Sequence, residues 1–373
     1  MIKSRPRTPR IDSGPTPGVG SGISFAFDRG AGRRPAPAHP GRGAVTSKAA
    51  SVLIPAAVFA LICVLFAAPA QGTFSGSNGR IAFSQGDLVP PIGGEAGDLS
   101  IHSQVFTINP NGSGLKQLTH VAAGKSAGSP DWSPDGERIV YESNQSGDFH
   151  IWVMNANGSG KTQLTDQSGF EDFQPSWSPD GKRILFSHCG EPFGPGFIVY
   201  CDIDVMNANG THVKTLLGSG HWSNVRANYS PNGRRIAISS DRGGLQSAVW
   251  VMNANGTGLE RLTRTKLRGF WPDWAPSGHR ILFSDNCCLP HSNLWTVRPD
   301  GSGTKKLTHV PQGVDAAFGS YSPDGRRIVT FFSRGCSNSP CRHFSTLRSD
   351  GSHFDRVVTR KANTFLTDWG PGG

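Results

Sequence analysis

The chain has 373 residues and a formal charge of +10, with 17% charged residues, 48 glycines and seven cysteines. The charge is lopsided: residues 1–70 carry nine Lys or Arg against two Asp, and the remainder carries 28 against 25. A surplus that small, spread over about 300 residues, is no electrostatic footprint for nucleic acid, and that partner class is excluded.

Residues 1–44 are rich in Pro, Gly, Arg and Ala and cannot bury a core, so they read as a disordered basic segment or as sequence upstream of the true start. Ala49 to Ala68 then form one uncharged, mostly apolar run behind Arg42 and Lys48, closing in Ala68-Pro69-Ala70. A basic end, an apolar middle and a small-x-small exit are the order of a secretory signal over residues 45–70, with Val45 a candidate start. The run is also long enough to span a bilayer, so an uncleaved single anchor is the second reading. Either route puts the rest of the chain outside the cytoplasm: periplasmic, secreted, or on the outer face of the cytoplasmic membrane. Membrane contact then depends on this segment being retained. Cys63 follows the bulky Ile62, which does not suit lipidation.

From Asn78 the chain repeats itself. Trp132-Ser133-Pro134-Asp135-Gly136 returns as Trp177-Ser178-Pro179-Asp180-Gly181, Tyr229-Ser230-Pro231-Asn232-Gly233, Trp274-Ala275-Pro276-Ser277-Gly278 and Tyr321-Ser322-Pro323-Asp324-Gly325, with a truncated copy at Trp369-Gly370-Pro371-Gly372-Gly373. The aromatic positions are 45, 52, 45, 47 and 48 residues apart, the range of repeat architectures. Proline presets φ at the second turn position, aspartate is tolerated at the third, and glycine follows where positive φ is cheapest, so each copy is a tight turn between strands. Behind the turns come Arg138-Ile139-Val140-Tyr141 and its copies, whose consecutive apolar residues predict strands covered on both faces. A third strand follows, as in Ile151-Trp152-Val153-Met154, Val249-Trp250-Val251-Met252 and Leu294-Trp295-Thr296-Val297. A second glycine turn, such as Asn155-Ala156-Asn157-Gly158, leads to a short strand ending in Leu-Thr or a variant of it.

One unit is therefore four antiparallel strands, and the Leu-Thr ends count six units. A sheet buried on both faces needs a neighbour on each side, and a ring supplies them. The expected fold is an all-β, six-bladed β-propeller of four-stranded antiparallel blades over residues 74–373. The first unit lacks a first strand, whereas Thr364 to Trp369 has the pattern of one, so the two chain ends are expected to share a blade and close the ring.

The Trp-Ser-Pro-Asp-Gly, Arg-Ile-x-Phe, Trp-Val-Met-Asn-Ala-Asn-Gly and Leu-Thr elements resemble the tryptophan-aspartate-like propeller repeats of the TolB-like family, over about residues 79–373. Similar repeats precede the catalytic domain of prolyl oligopeptidase-type enzymes and occur in many exported bacterial proteins. The resemblance implies a propeller of protein-binding type. TolB itself carries a smaller α/β domain ahead of its propeller, for which the sequence between the signal and Gly79 leaves no room. The peptidase pattern puts a serine hydrolase domain after the propeller, where this chain stops at Gly373.

Trp132, Trp177, Trp274 and Trp369, with Tyr229 and Tyr321, recur once per unit and read as between-blade packing; the turn residues Pro134, Asp135, Gly136, Pro179, Asp180 and Gly181 read as structural. Trp152, Trp250 and Trp295 read as blade core or interblade wedges. Ahead of each aromatic stands Asp131, Ser176, Asn228, Asp273, Ser320 or Asp368. On an innermost strand these line the channel, where three carboxylates can hold a cation or a partner's basic side chain, or simply hydrate the lumen and cap local backbone.

The long connections between second and third strands, residues 84–103, 190–197, 285–292 and 334–343, should share one rim, and loops on a rigid scaffold are where binding resides. Leu88, Val89 and Ile92 give the first an apolar tip, and Phe193 does so for another; His188, His291 and His343 fall in or near these loops. Cys189, Cys201, Cys287, Cys288, Cys336 and Cys341 form an even set in an exported chain, which favours disulfides, Cys189 with Cys201 and Cys336 with Cys341. Cys287 and Cys288 either form a vicinal bond or stay thiols. No pair has the two-residue spacing of a zinc knuckle, and metal binding stays open.

The sequence thus points to an exported or membrane-anchored propeller that binds an envelope or extracellular protein, or a glycan, without cofactor; enzyme activity stays open, with the binder favoured over the enzyme. The alternative is a metal-dependent envelope lyase or hydrolase with His and carboxylate groups at the channel.

Overall fold

The structure, a computed structural model, describes residues 76–89, 100–190, 200–244, 246–264, 267–285, 291–312, 314–334, 342–357 and 363–372. They form six four-stranded sheets. Blade 1 holds β1 (Asn78–Val89), β2 (Ser100–Ile108) and β3 (Lys116–Gln117). Blade 2 holds β4 (Ala127–Trp132), β5 (Arg138–Ser143), β6 (His150–Asn155) and β7 (Thr162–Gln163). Blade 3 holds β8 (Phe170–Trp177), β9 (Arg183–Gly190), β10 (Cys201–Asn207) and β11 (Lys214–Leu217). Blade 4 holds β12 (Asn224–Tyr229), β13 (Arg235–Ser240), β14 (Ala248–Asn253) and β15 (Glu260–Arg261). Blade 5 holds β16 (Phe270–Trp274), β17 (Ile281–Ser284), β18 (Leu294–Val297) and β19 (Lys305–Lys306). Blade 6 holds β20 (Val314–Tyr321), β21 (Arg327–Arg334), β22 (Arg342–Arg348) and β23 (Asp355–Arg356).

The last strand, β24 (Asn363–Pro371), returns to blade 1, whose order is β24-β1-β2-β3. Ile81 pairs with Trp369 and Ala82 with Asp368, so the ring is closed by its two chain ends and the expected six-bladed propeller is the observed one.

The turn motif explains itself atom by atom. Gly136, Gly181, Gly233, Gly278 and Gly325 sit at φ of +71°, +67°, +66°, +70° and +67°, where an L side chain is strained. Ser178 Oγ donates to Asp180 Oδ1 (2.6 Å) and accepts the Arg183 amide (2.8 Å), closing the turn with side chains; Ser133 with Asp135 and Ser322 with Asp324 do the same. The second strands are buried on both faces, as at Ile139, Val140 and Tyr141.

The core lies between sheets. Trp132 packs with Ala82 and Val105 of blade 1 and with Ile139 of its own blade, and Trp274 meets Val249 and Val251 of blade 4. Burying a ring of this size removes on the order of 200 Å² of surface from water, up to about 5 kcal/mol of transfer free energy. Trp250 and Trp295 are interblade wedges: both are half-buried, Trp250 against the cluster between blades 3 and 4 and Trp295 against that between blades 4 and 5, with Arg261 (5.9 Å) and Lys306 (5.8 Å) over their rings. Trp152 is likewise half-buried.

Strand pairing also runs further than the repeat pattern suggests. Leu88 pairs with Ile101 and Val89 with Ser100, so both belong to β1 and not to a loop tip; His188 lies within β9 opposite Asp202, and His343 within β22 opposite Phe332. A hairpin that lengthens satisfies backbone groups that a loop would leave to water. Cys189 and Cys201 face each other across β9 and β10 and form the expected disulfide. Ile92, Phe193, Cys287, Cys288, Cys336, Cys341 and residues 45–70 lie outside the described residues. Among the described residues no helix is long and apolar enough to cross a membrane.

Candidate functional site

The innermost strands β24, β4, β8, β12, β16 and β20 surround a narrow cavity of about 90 Å³, room for a few waters. Each runs the same way along it before the aromatic-Ser-Pro turn, so equivalent residues form tiers. The tier nearer the turns carries Asp131, Asn228, Asp273, Ser320 and Asp368 along the cavity; Ser176 is buried and does not border it.

These groups tie one blade to another. Asp131 Oδ2 accepts the Trp177 amide (2.7 Å), Asp273 Oδ2 the Tyr321 amide (2.8 Å) and Asp368 Oδ2 the Trp132 amide (2.9 Å). Asn228 Nδ2 donates to the Pro272 carbonyl (2.8 Å), and Ser320 Oγ to Asp368 Oδ1 (3.3 Å). Burial holds all three carboxyls above their usual range, Asp273 up to about 8. Asp368, and then Asp273, raise Asp131 further because like charges share one lumen.

The second tier is a set of left-handed residues three positions before each aromatic: Ser129 (φ +46°), Gln174 (+57°), Arg226 (+59°), Trp271 (+50°) and Phe318 (+56°). Each falls in a β-bulge of its inner strand, which turns a side chain into the channel. Its amide reaches the preceding blade: Ser129 donates to Ser84 Oγ (3.1 Å), Arg226 to Ser187 Oγ (3.3 Å), Trp271 to Ser239 Oγ (3.0 Å) and Phe318 to Ser284 Oγ (3.2 Å). Blade 2 puts Glu142 in the serine's place, accepting the Gln174 amide (2.7 Å). Burial pushes the Glu142 carboxyl up, and Arg226 opposes that rise.

A five-fold recurrence assigns the backbone strain to the fold, while the side chains differ from blade to blade. The Arg226 guanidinium lies 5.3 Å over the Trp271 ring, which packs at 4.1 Å on Phe318, and Phe318 meets the edge of Phe331 at 5.6 Å. Reasoning from sequence missed this tier; its only signal was the proline after Ser129, Gln174 and Trp271, at a fixed distance before the aromatic.

On the rim beyond, where second and third strands connect, Asp172 is buried between two histidines. His188 Nδ1 lies 2.7 Å from Asp172 Oδ1, and His150 Nδ1 lies 3.8 Å from Oδ2. The hydrogen bond to Asp172 raises the His188 pKa against the opposing effect of burial. Phe170 stacks on His188 at 4.6 Å, and exposed Tyr200 meets His221 edge-on at 5.7 Å. His291, half-buried, precedes β18 of blade 5, and His343 is on blade 6. Among the described residues no group of three or more His, Cys, Asp or Glu is placed to hold a metal ion.

Comparison with known proteins agrees with this architecture. Residues 96–192 match the family model PD40, described as the TolB beta propeller domain. An uncharacterized protein of Agrobacterium fabrum is 30% identical over 142 residues, 37% of this chain and 48% of that protein, so the match spans about half of the relative. TolB from Acinetobacter baumannii superposes with a TM-score of 0.62 at 21% identity, covering 81% of this chain and 68% of that one. A putative TolB from Agrobacterium tumefaciens gives 0.55 at 16% identity, covering 80% of this chain and 100% of that one. The chain is a six-bladed β-propeller structurally related to TolB-like proteins.

Proposed function

We propose that this propeller is an exported or membrane-anchored binding protein of the cell envelope, and that its ligand is another protein, held at the channel mouth and the adjoining loop rim. The observation that carries the reading is the half-buried Arg226–Trp271–Phe318 stack in the channel. Aromatic rings supply large contact area at little entropy cost, and Trp and Arg are enriched among the residues that carry protein interfaces. The ends of β1, β9, β17 and β21 all open on this rim. A glycan is the second ligand class such a ring stack suits.

The test is capture from the envelope fraction of the producing cell with the tagged full chain, wild type against an Arg226→Glu, Trp271→Ala double variant. A partner retained by the first and lost by the second, with unchanged melting, supports the reading. Identical captured sets, or recovery of the protein from the cytoplasm alone, refute it.

The alternative of a metal-dependent lyase or hydrolase would draw on Asp131, Asp273 and Asp368. One oxygen of each already serves a backbone amide, so these carboxylates are held primarily as blade ties.

A further inference from the structure

On the opposite face, where the Ser-Pro-Asp-Gly and Asn-Ala-Asn-Gly type turns lie, blades 4 and 5 are separated by a groove of about 610 Å³. Arg235, His279, Arg280 and Arg298 line it. Arg235 comes from β13, Arg280 from the start of the second strand of blade 5, and Arg298 from the turn after β18. Arg298 Nη1 and Arg280 Nη1 lie 3.2 and 3.6 Å from the one point that a Gly303 Cβ would occupy. Two guanidinium groups therefore share a single small space.

The repeat shows that this is a departure. In blades 1 to 4 the position of Arg298 is asparagine: Asn109, Asn155, Asn207 and Asn253. In blade 1 that asparagine accepts a 2.8 Å hydrogen bond from Arg80, the counterpart of Arg280. Blade 6 also has an arginine there, Arg348, but supplies Asp355 from its outer strand, 2.8 Å from Arg327. The register partner in blade 5, opposite Thr296 as Asp355 is opposite Thr346, is Lys305. Blade 5 alone among the six thus combines three cations at these positions.

Two exposed carboxylates belong to the site: Asp300 lines the groove itself, and Glu260 stands beside Arg235. Glu260 is 3.6 Å from Arg235, and Asp300 accepts the Ser302 amide at 2.8 Å. Arg280 donates to the Gly303 carbonyl (2.6 Å) and Arg298 to Ser302 Oγ (3.4 Å), a small part of the five N–H donors each carries. Arg298 comes with Asp300 where blades 1 to 4 carry two asparagines in the same turn, as Arg348 comes with Asp350 in blade 6, so it is Lys305 that leaves blade 5 with an unbalanced cation, a combination the other five blades do without.

We propose that this groove binds a phosphate group, with Arg280 and Arg298 as paired forks and Arg235 and Lys305 beside them. A phosphate offers acceptors enough to serve several guanidinium groups, and planar bidentate contact is what arginine provides.

The test titrates inorganic phosphate into the purified protein by calorimetry at low ionic strength, for wild type, Arg298→Asn and Lys305→Asp. Arg298→Asn installs the residue of blades 1 to 4 and Lys305→Asp the residue of blade 6, so both variants fold with melting close to wild type. Saturable binding to wild type, weakened about tenfold or more in each variant and by added salt, is the expected result. No heat at low-millimolar phosphate, or equal affinity in all three proteins, overturns the proposal. Parallel arms with glycerol phosphate and with phosphatidic acid vesicles identify the source: tighter Arg298-dependent binding of the ester, or cosedimentation with vesicles, assigns an esterified headgroup, and preference for inorganic phosphate assigns the free ion.

Discussion

At the scale of single residues, Asp131, Asp273 and Asp368 hold the channel together at an electrostatic cost. Each accepts a backbone amide of another blade, yet burial raises all three carboxyls, and the charge of Asp368 raises Asp131 and Asp273 further. For Asp273 the linkage is explicit. Its unfolded value is near 3.8 and its folded value about 8, so within that window the folded state keeps a proton that the unfolded state has released. Stability contributed by this group is complete below the unfolded value and declines as pH rises through the folded one. Asp273→Asn keeps an acceptor for the Tyr321 amide and removes the ionisation. It is expected to be more stable than wild type at about pH 9 by roughly 1–3 kcal/mol, with little difference near pH 4. Urea unfolding across that range checks it, and parallel pH curves for the two proteins would contradict it.

Among elements, the turn between third and fourth strands is the part that docks one blade on the outer strand of the preceding one. Gly256, at φ +86°, approaches so closely that an added Cβ would stand 2.3 Å from the Leu216 carbonyl oxygen; Gly351 repeats this against Leu307 at 2.3 Å and Gly210 against Leu164 at 2.8 Å. Glycine is required there twice over, by conformation and by space. Gly256→Ala is expected to cost about 2–4 kcal/mol, and Gly244→Ala, with nothing within 4 Å, is the matched control that should change little. Equal chemical-denaturation midpoints for the two variants would show that the docking of this turn is not tight. The inner-strand bulges are the complementary device: they accept left-handed residues, and in exchange each sends an amide to the neighbouring blade and a side chain into the lumen.

For the whole molecule, closure by β24 is the cooperative event. Without that strand, β1 would become an open edge, Trp132 would lose the Asp368 cap, and the buried Trp369 would be gone. Deleting residues 363–373 is expected to forfeit most of the roughly 5–15 kcal/mol typical of a folded domain. Calorimetry should then show no cooperative transition; a truncated protein melting like wild type would mean that the ring holds without its closing strand. Turn chemistry, six repeats, strands covered on both faces and the shared first blade were all legible in the sequence, as was the Cys189–Cys201 bridge, because each rests on local φ preference, periodicity or spacing. The extent of the hairpins at Leu88, His188 and His343 was not, since pairing beyond a motif depends on what the partner strand offers. Nor was the meeting of Arg226 with Trp271, of His150 with Asp172, or of Arg280 with Arg298 beside Gly303. Those neighbours are chosen by how blades face one another around a closed ring, a distance that no local preference along the chain encodes.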